Sequence, residues 1–227
     1  MLYLVSTPIG NLGDISERAI ATLRSVDVVL VEKWTDSIKL LKHFGIRPKQ
    51  LLTYDDRNAK RVLPRLLALL AKQDAALITS AGTPGVSDPG AELVRACHAQ
   101  NMRVVPIPGP SAVTAAIAAS GLGGSFTFLG FLPKKRKELE RVLADAAAIS
   151  RTLVVFESPH RIEKTLAILA ETHPNMPMFL GKELTKLHEQ CTLATPAELL
   201  EAARENPKSL WGEFTLVLQP GQEKSPA

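Results

Sequence analysis

Residues 73–100 read QDAALITSAGTPGVSDPGAELVRACHAQ. Three segments follow one another in this stretch. AALIT (75–79) is an unbroken aliphatic run of the length expected for a buried strand. SAGTPGVSDPG (80–90) packs three glycines and two prolines into eleven residues, so its backbone path is tightly specified. ELVRACHAQ (92–100) has the apolar spacing of a helix. A buried strand, a tight loop and a helix make up the unit from which a parallel α/β sheet is built.

The same alternation extends in both directions. LYLVS (2–6) reads as a strand, followed by a helix over about 14–25. Asp14 is positioned to cap that helix, with Glu17 three residues on, and Ile15, Ala19, Ile20 and Leu23 form one face. DVVLVE (27–32) is a second strand, SIKLLKHFG (37–45) a short helix stopped by Gly45, and about 58–72 a longer helix. RVVPIP (103–108) is a further strand, and PGPSAVTAAIAAS opens a helix. The Gly-rich GLGGSFT (121–127) marks a break. Beyond it come FTFLGFL, a basic helix over about 134–148, RTLVVFE, a helix after SPHR, MFLGKE, a strand-like LHEQCTLA, one more helix and GEFTLVLQP. The later strands alternate more, as half-buried strands do. The predicted architecture is α/β with two domains. Residues 1–120 carry a mostly parallel sheet, residues 121–220 carry a mixed sheet completing a cleft, and 221–227 form a frayed tail.

Composition narrows the class. Of 227 residues, 45% are hydrophobic and 22% charged, as in an ordinary globular protein, and only 5% are aromatic, so the core is aliphatic. Lys and Arg number 27 against 23 acids, a net charge of +4, which suits a polyanionic partner without requiring one. Cys97 and Cys191 form neither a disulfide framework nor a metal-like pair, and Cys97, inside LVRACHA, reads as a buried thiol. There is no H-E-x-x-H and no Cys/His cluster, so no metal is predicted. No apolar run reaches the ~18–20 residues of a membrane span, and the N-terminus lacks a basic n-region. A cytoplasmic protein without membrane contact is expected.

Three loops leave the carboxyl ends of predicted strands, the edge where open α/β sheets bind ligands. They are STPIGNLGD (6–14), SAGTPGVSDPG (80–90) and PIPGPSA (106–112). Each combines Gly, Pro and a hydroxyl and leads into a helix, so backbone N–H groups can approach a ligand closely. As plain turns they would instead be helix starts capped by Asp14, Asp88 and Ser111. No G-x-G-x-x-G or G-x-x-x-x-G-K-[ST] occurs, which argues against both standard phosphate cradles. GVSDP approaches a nucleophile elbow, but Pro89 stands where its last glycine belongs, so Ser87 with His160 is not read as a nucleophile and base.

The second half carries its charges at element ends. KKRK (Lys134, Lys135, Arg136, Lys137) opens a helix, against the helix dipole, and phosphate contact would account for it. ESPHR contributes Glu157, His160 and Arg161, and KELTK contributes Lys182, Glu183 and Lys186, both just after strands.

LYLVSTPIGNLGDI, AGTPGVSDPG, PIPGPSA, GFLP, ESPHR and ELTKLHE occur in an order that resembles the bacterial 16S ribosomal RNA (cytidine-2′-O)-methyltransferases, members of the tetrapyrrole-methylase superfamily. The likeness runs from residue 2 to about residue 219. It implies a two-domain α/β fold, a homodimer, S-adenosyl-L-methionine as cofactor, and 16S rRNA of the small ribosomal subunit as substrate, methylated on the ribose 2′-hydroxyl of a cytidine in the decoding region. Carried over by motif, the cofactor residues are Pro8, Gly10, Ala81, Gly82, Thr83, Pro84, Ser111, Ala112 and Leu132, with Ser80 beside them. Glu157, His160 and Glu183 are candidates for accepting the hydroxyl proton. Lys134, Lys135, Arg136, Lys137, Arg161, Lys182 and Lys186 are candidates for holding RNA.

The chain also departs from the family pattern. S-D-A-G-T-P becomes Thr79-Ser80-Ala81-Gly82-Thr83-Pro84, E-D-T-R becomes Glu32-Lys33-Trp34-Thr35, and H-E-H-N-E becomes Asp55-Asp56-Arg57-Asn58-Ala59. These changes predict a less acidic site and the loss of a carboxylate at Ser80. Two other readings follow. One is a methyltransferase acting on a small tetrapyrrole-like ring, against which KKRK, ESPHR and ELTK weigh. The other is a ribosome-binding homologue with altered or lost catalysis.

Overall fold

The computed structural model describes residues 1–221; the expected frayed tail lies outside them save for Gly221. The chain divides into two compact units, Met1–Ser111 and Ala112–Ala227.

The first unit is a five-stranded parallel sheet, β1 (Leu2–Val5), β2 (Val28–Val31), β3 (Gln50–Thr53), β4 (Ala75–Ile78) and β5 (Val104–Ile107), in the order β3-β2-β4-β1-β5. Its helices are α1 (Glu17–Ser25), α2 (Trp34–His43), α3 (Ala59–Leu70) and α4 (Ala91–Ala99). Strands buried on both faces explain the unbroken aliphatic runs. Val29, Val31, Ala76 and Ile78 point into a core shared with Leu23, Leu40 and Leu41. Their neighbours Val28, Leu30, Ala75 and Leu77 point the other way, towards Leu66, Leu93 and Cys97. Cys97 is free and fully buried, and burial pushes its thiol up.

The second unit holds α5 (Ala112–Ser120), β6 (Phe126–Phe131), α6 (Arg136–Ala148), β7 (Thr152–Glu157), α7 (Ile162–Thr172), β8 (Met178–Lys182), β9 (Gln190–Ala194), α8 (Pro196–Glu205) and β10 (Phe214–Leu218). Its sheet runs β6-β7-β10-β8-β9, with β6 parallel to β7 and the other pairs antiparallel. Leu153, Val155, Leu180 and Leu216 pack with Leu139 and Leu143 of α6 and Leu166 of α7 in one core. α5 packs on β7, β8, β9 and β10. The unit division therefore falls before α5, nine residues ahead of the expected one, and GLGGSFT becomes a turn between α5 and β6 inside the second unit.

Four local expectations are corrected. Ser16, not Asp14, caps α1, its hydroxyl accepting from the Ala19 amide at 3.1 Å, while Asp14 closes a short 3-10 turn. Gly90, not Asp88, sits at the start of α4. α2 begins at Trp34 rather than Ser37. QLLT (50–53) is an edge strand that the pattern did not reveal, since it is only four residues long and partly exposed.

Candidate functional site

The parallel sheet brings the three Gly/Pro loops together. β4, β1 and β5 are adjacent strands, and Leu4 is in register with Leu77 on one side and Pro106 on the other. The loops therefore start side by side at one edge. They are then tied to each other. Thr7 and Gly82 exchange two backbone hydrogen bonds, 2.9 and 3.0 Å. The Ser6 and Thr83 hydroxyls lie 2.9 Å apart, and Thr83 Oγ1 reaches the Pro110 carbonyl at 3.5 Å. Glycine is required at two points of this joint. Gly82 has φ +74°, and a Cβ on Gly109 would stand 3.0 Å from the Cβ of Ser6. Of the candidate cofactor residues in this unit, Pro8, Ser80, Thr83 and Ser111 are partly exposed, Gly10 and Ala81 are exposed, and Gly82 and Pro84 are buried. Ala112 begins α5 and Leu132 is buried, both in the second unit.

Ser80, where the family pattern has an acid, is bound instead to a carboxylate of the neighbouring strand. Ser80 donates both its amide N–H, at 3.0 Å, and its hydroxyl, at 2.7 Å, to one Glu32 oxygen. Glu32 follows β2, which pairs with β4 so that Val31 is level with Ile78. Glu32 keeps the acid that opens the E-D-T-R pattern, and here it anchors the serine that stands at position 80. Sequence reasoning passed over Glu32, although a lone carboxylate closing the aliphatic DVVLVE was its signal.

Asp88, in the same loop, is pushed up to about 6, first by burial and then by the Glu32 charge, with Asp56 adding to this and Thr79 and Lys33 opposing it. The edge is thus lined by Glu32, Asp56 and Asp88, with Lys33 within electrostatic reach. Asp88 binds its proton more tightly folded than unfolded, so its protonation stabilises the unit as pH falls through about 6 towards 3.8, and the penalty is fully present above about 6. Asp88→Asn is expected to flatten that part of the stability profile. Denaturation midpoints of wild type and variant at about pH 4 and about pH 7 check it, and parallel profiles would refute it.

In the second unit most candidate charges are already occupied. Glu157 is 2% exposed. One oxygen accepts from the Ser158 amide at 2.7 Å; the other accepts from the Thr165 hydroxyl at 2.7 Å and faces Arg161 at 3.4 Å. Arg161 also donates to the carbonyls of Leu132, at 2.8 Å, and Pro133, at 3.4 Å. Lys182 is buried, its Nζ 3.3 Å from the Lys208 carbonyl. Burial would raise the Glu183 carboxyl, but the Glu213 amide and Lys186 outweigh it and hold it below the usual range. Lys186 bridges Glu183 at 2.9 Å and Glu213 at 2.8 Å. Arg136 is engaged by Glu140 and Glu171, and Lys135 by Glu138, so part of KKRK has a local purpose. Lys134, Lys137 and His160 are exposed, and among the described residues none of their side chains has an ion pair or hydrogen bond. No helix among those residues is long and apolar enough to cross a membrane.

This arrangement offers backbone groups and small side chains beside carboxylates. It suits a cationic, phosphate-free ligand better than a nucleotide phosphate.

Comparison with known proteins agrees with that chemistry. Residues 1–200 match the tetrapyrrole (corrin/porphyrin) methylases. A Synechocystis protein named ribosomal RNA small subunit methyltransferase I is 42% identical over 221 residues, covering 96% of this chain and 78% of that protein. Its namesake from Coprothermobacter proteolyticus is 42% identical over 228 residues, covering 98% and 99%. The one from Thermotoga maritima is 41% identical over 219 residues, covering 96% and 97%. Among solved structures, a diphthine synthase superposes with a TM-score of 0.76 at 16% identity, covering 98% of this chain and 91% of that one. A cobalt precorrin-4 methyltransferase of cobalamin biosynthesis superposes with 0.67 at 19%, covering 96% and 94%. These two likenesses show the fold alone.

Proposed function

Because the chain belongs to the tetrapyrrole (corrin/porphyrin) methylase family, whose methyltransferases use S-adenosyl-L-methionine, we propose that it methylates RNA of the small ribosomal subunit. More finely, the reading is transfer to the ribose 2′-hydroxyl of a cytidine in the decoding region of 16S rRNA. The observation that carries the substrate class is about 40% identity, over nearly the whole chain, to proteins named ribosomal RNA small subunit methyltransferase I. The tetrapyrrole-ring alternative rests on the breadth of the family model and on fold likeness at 19% identity, without a relative of comparable identity named for that substrate among those compared above.

The residues present fit the cofactor. When bound, it supplies an electrophilic methyl group on a cationic sulfur. Pro8, Gly10, Ser80 to Pro84 and Ser111 of the first unit offer it close backbone approach; Ala112 and Leu132 are cofactor candidates by motif resemblance alone. Glu32 and Asp88 favour a positive charge at this edge, and no phosphate cradle is needed. Transfer to a hydroxyl demands alignment above all, and the cross-linked loops supply rigidity. The hydroxyl proton has to leave as the new O–C bond forms. Of the acceptor candidates, Glu157 has both oxygens committed and Glu183 is held as a weak base, which leaves His160 with an accessible imidazole. Lys134 and Lys137 are the candidates with charge to spare for phosphate. A homodimer in the cytoplasm completes the proposal, and sedimentation tests the dimer.

The test is incorporation of labelled methyl from S-adenosyl-L-methionine into small subunits from cells lacking this protein, with the modified ribose mapped. A 2′-O-methylated cytidine is expected. Cofactor binding without transfer to any RNA would overturn the reading and favour a ribosome-binding homologue.

A further inference from the structure

Trp34 is 51% exposed. It is the first residue of α2, directly after Lys33, which is also exposed. Among the described residues its indole has no aromatic or cation partner, whereas Trp211 has Lys208 over its ring. A large ring half-exposed at a helix start is no part of the core clusters, which the unit builds mainly from aliphatic residues.

Its position is informative. Trp34 lies two residues beyond Glu32, whose carboxylate holds Ser80 of the cofactor loop. The neighbouring strand β3 is in register with β2, Val31 level with Thr53, and the Tyr54 amide bonds the Val31 carbonyl at 2.9 Å. The segment after β3 therefore leaves the same edge. It carries Arg57, whose side chain is 92% exposed and whose one ion pair, to Asp55, is 3.4 Å long. Lys60 and Arg61 follow in the first turn of α3, which holds no acid. The acids nearby are largely spoken for. Glu32 takes Ser80, Asp55 accepts the Arg57 and Asn58 amides at 2.9 Å each, and Asp36 sits 3.9 Å from Lys39. Asp56 stays exposed.

We propose that Trp34, flanked by Lys33 and Arg57, is a stacking platform for a base of the substrate RNA strand at the mouth of the cofactor loops. An aromatic face binds any base, and the flanking cations take the phosphates that the acidic loop edge would repel. The inference rests on the RNA reading above. It gives a purpose to Lys33 and Trp34, which depart from the family pattern, and to a face of the first unit that no motif had marked for RNA.

The test measures binding of a short, labelled, single-stranded cytidine-rich RNA by fluorescence anisotropy, with cofactor affinity and melting temperature followed in parallel. Trp34→Ala is expected to weaken RNA binding about tenfold, the effect of losing one stacked base, while Trp34→Phe stays near wild type. Cofactor affinity and melting should not move in either. Lys33→Gln with Arg57→Gln should lower the salt dependence of binding. Unchanged RNA affinity in Trp34→Ala would overturn the platform and leave the RNA reading standing. Dissociation of an oligomer by Trp34→Ala, with RNA affinity kept, would overturn it in favour of contact between copies. A wild-type protein that binds neither this RNA nor small ribosomal subunits would overturn both.

Discussion

Glu32→Ala is expected to weaken S-adenosyl-L-methionine binding by about tenfold or more, with the unit still folded. Ser80 hangs on Glu32 by two hydrogen bonds, 2.7 and 3.0 Å, and bonds to a charged acceptor contribute roughly 1.5–3 kcal/mol each. The two share one oxygen, so they do not add in full. What is lost is the fixed position of the backbone from Ser80 to Thr83, and hence the alignment on which in-line transfer depends. Glu32→Gln retains a carbonyl that accepts both bonds and should recover most of the affinity. Ser80→Ala removes only the hydroxyl bond and should fall between. Ser80→Asp, which installs the residue of the family pattern, sets a second carboxylate against Glu32 and should do more harm than alanine. Combined with Glu32→Gln, which can donate to it, that harm should lessen. Calorimetric titration of these variants is the measurement. Equal affinity in Glu32→Ala and wild type would show that Ser80 needs no anchor.

The second large effect is on stability. Removing one partner from a buried, hydrogen-bonded charge costs roughly 3–5 kcal/mol, because the remaining groups lose a partner away from water. In Glu157→Ala the Ser158 amide and the Thr165 hydroxyl lose their acceptor and Arg161 loses its counter-charge. The Arg161 side chain is 24% exposed and can turn to water, so the lower end, about 3 kcal/mol, is expected. Denaturant unfolding of the whole chain should show it. Methyl transfer per folded molecule should survive in Glu157→Gln, which keeps the shape of the ESPHR turn. Loss of transfer in a stable Glu157→Gln protein would instead return Glu157 to the role of proton acceptor.

Both effects depend on pairings whose legibility in sequence differs. Glu157 and Thr165 are eight residues apart, within a strand–turn–helix unit that the pattern at 151–170 marks. Glu32 and Ser80 are 48 residues apart, and no local rule connects them. Helix caps failed for a related reason. Asp14 and Ser16 are equally good caps by residue type, and only the backbone of the STPIGNLGD loop decides which one meets a free amide. α5 was assigned to the wrong side of a boundary because AVTAAIAAS is apolar all round, and its composition does not say which sheet it will cover.

What the sequence by itself determined was everything carried by short-range physics. Aliphatic runs of strand length, alternating with amphipathic helices, specified a parallel sheet followed by a mixed one. Dense Gly and Pro after β1, β4 and β5 specified the three loops at its edge, since such backbone paths are encoded within the loop. Only the tertiary structure decided which charges remain available. Lys182, Arg161, Arg136 and Lys186 look alike in sequence to Lys134 and Lys137, yet the first four are claimed by carbonyls or carboxylates. Likewise the strand order placed β2 next to β4, and so brought the carboxylate of Glu32 onto Ser80. The reason is physical: burial and charge pairing depend on what the fold brings within a few ångströms, and β-sheet order brings together residues that are far apart along the chain.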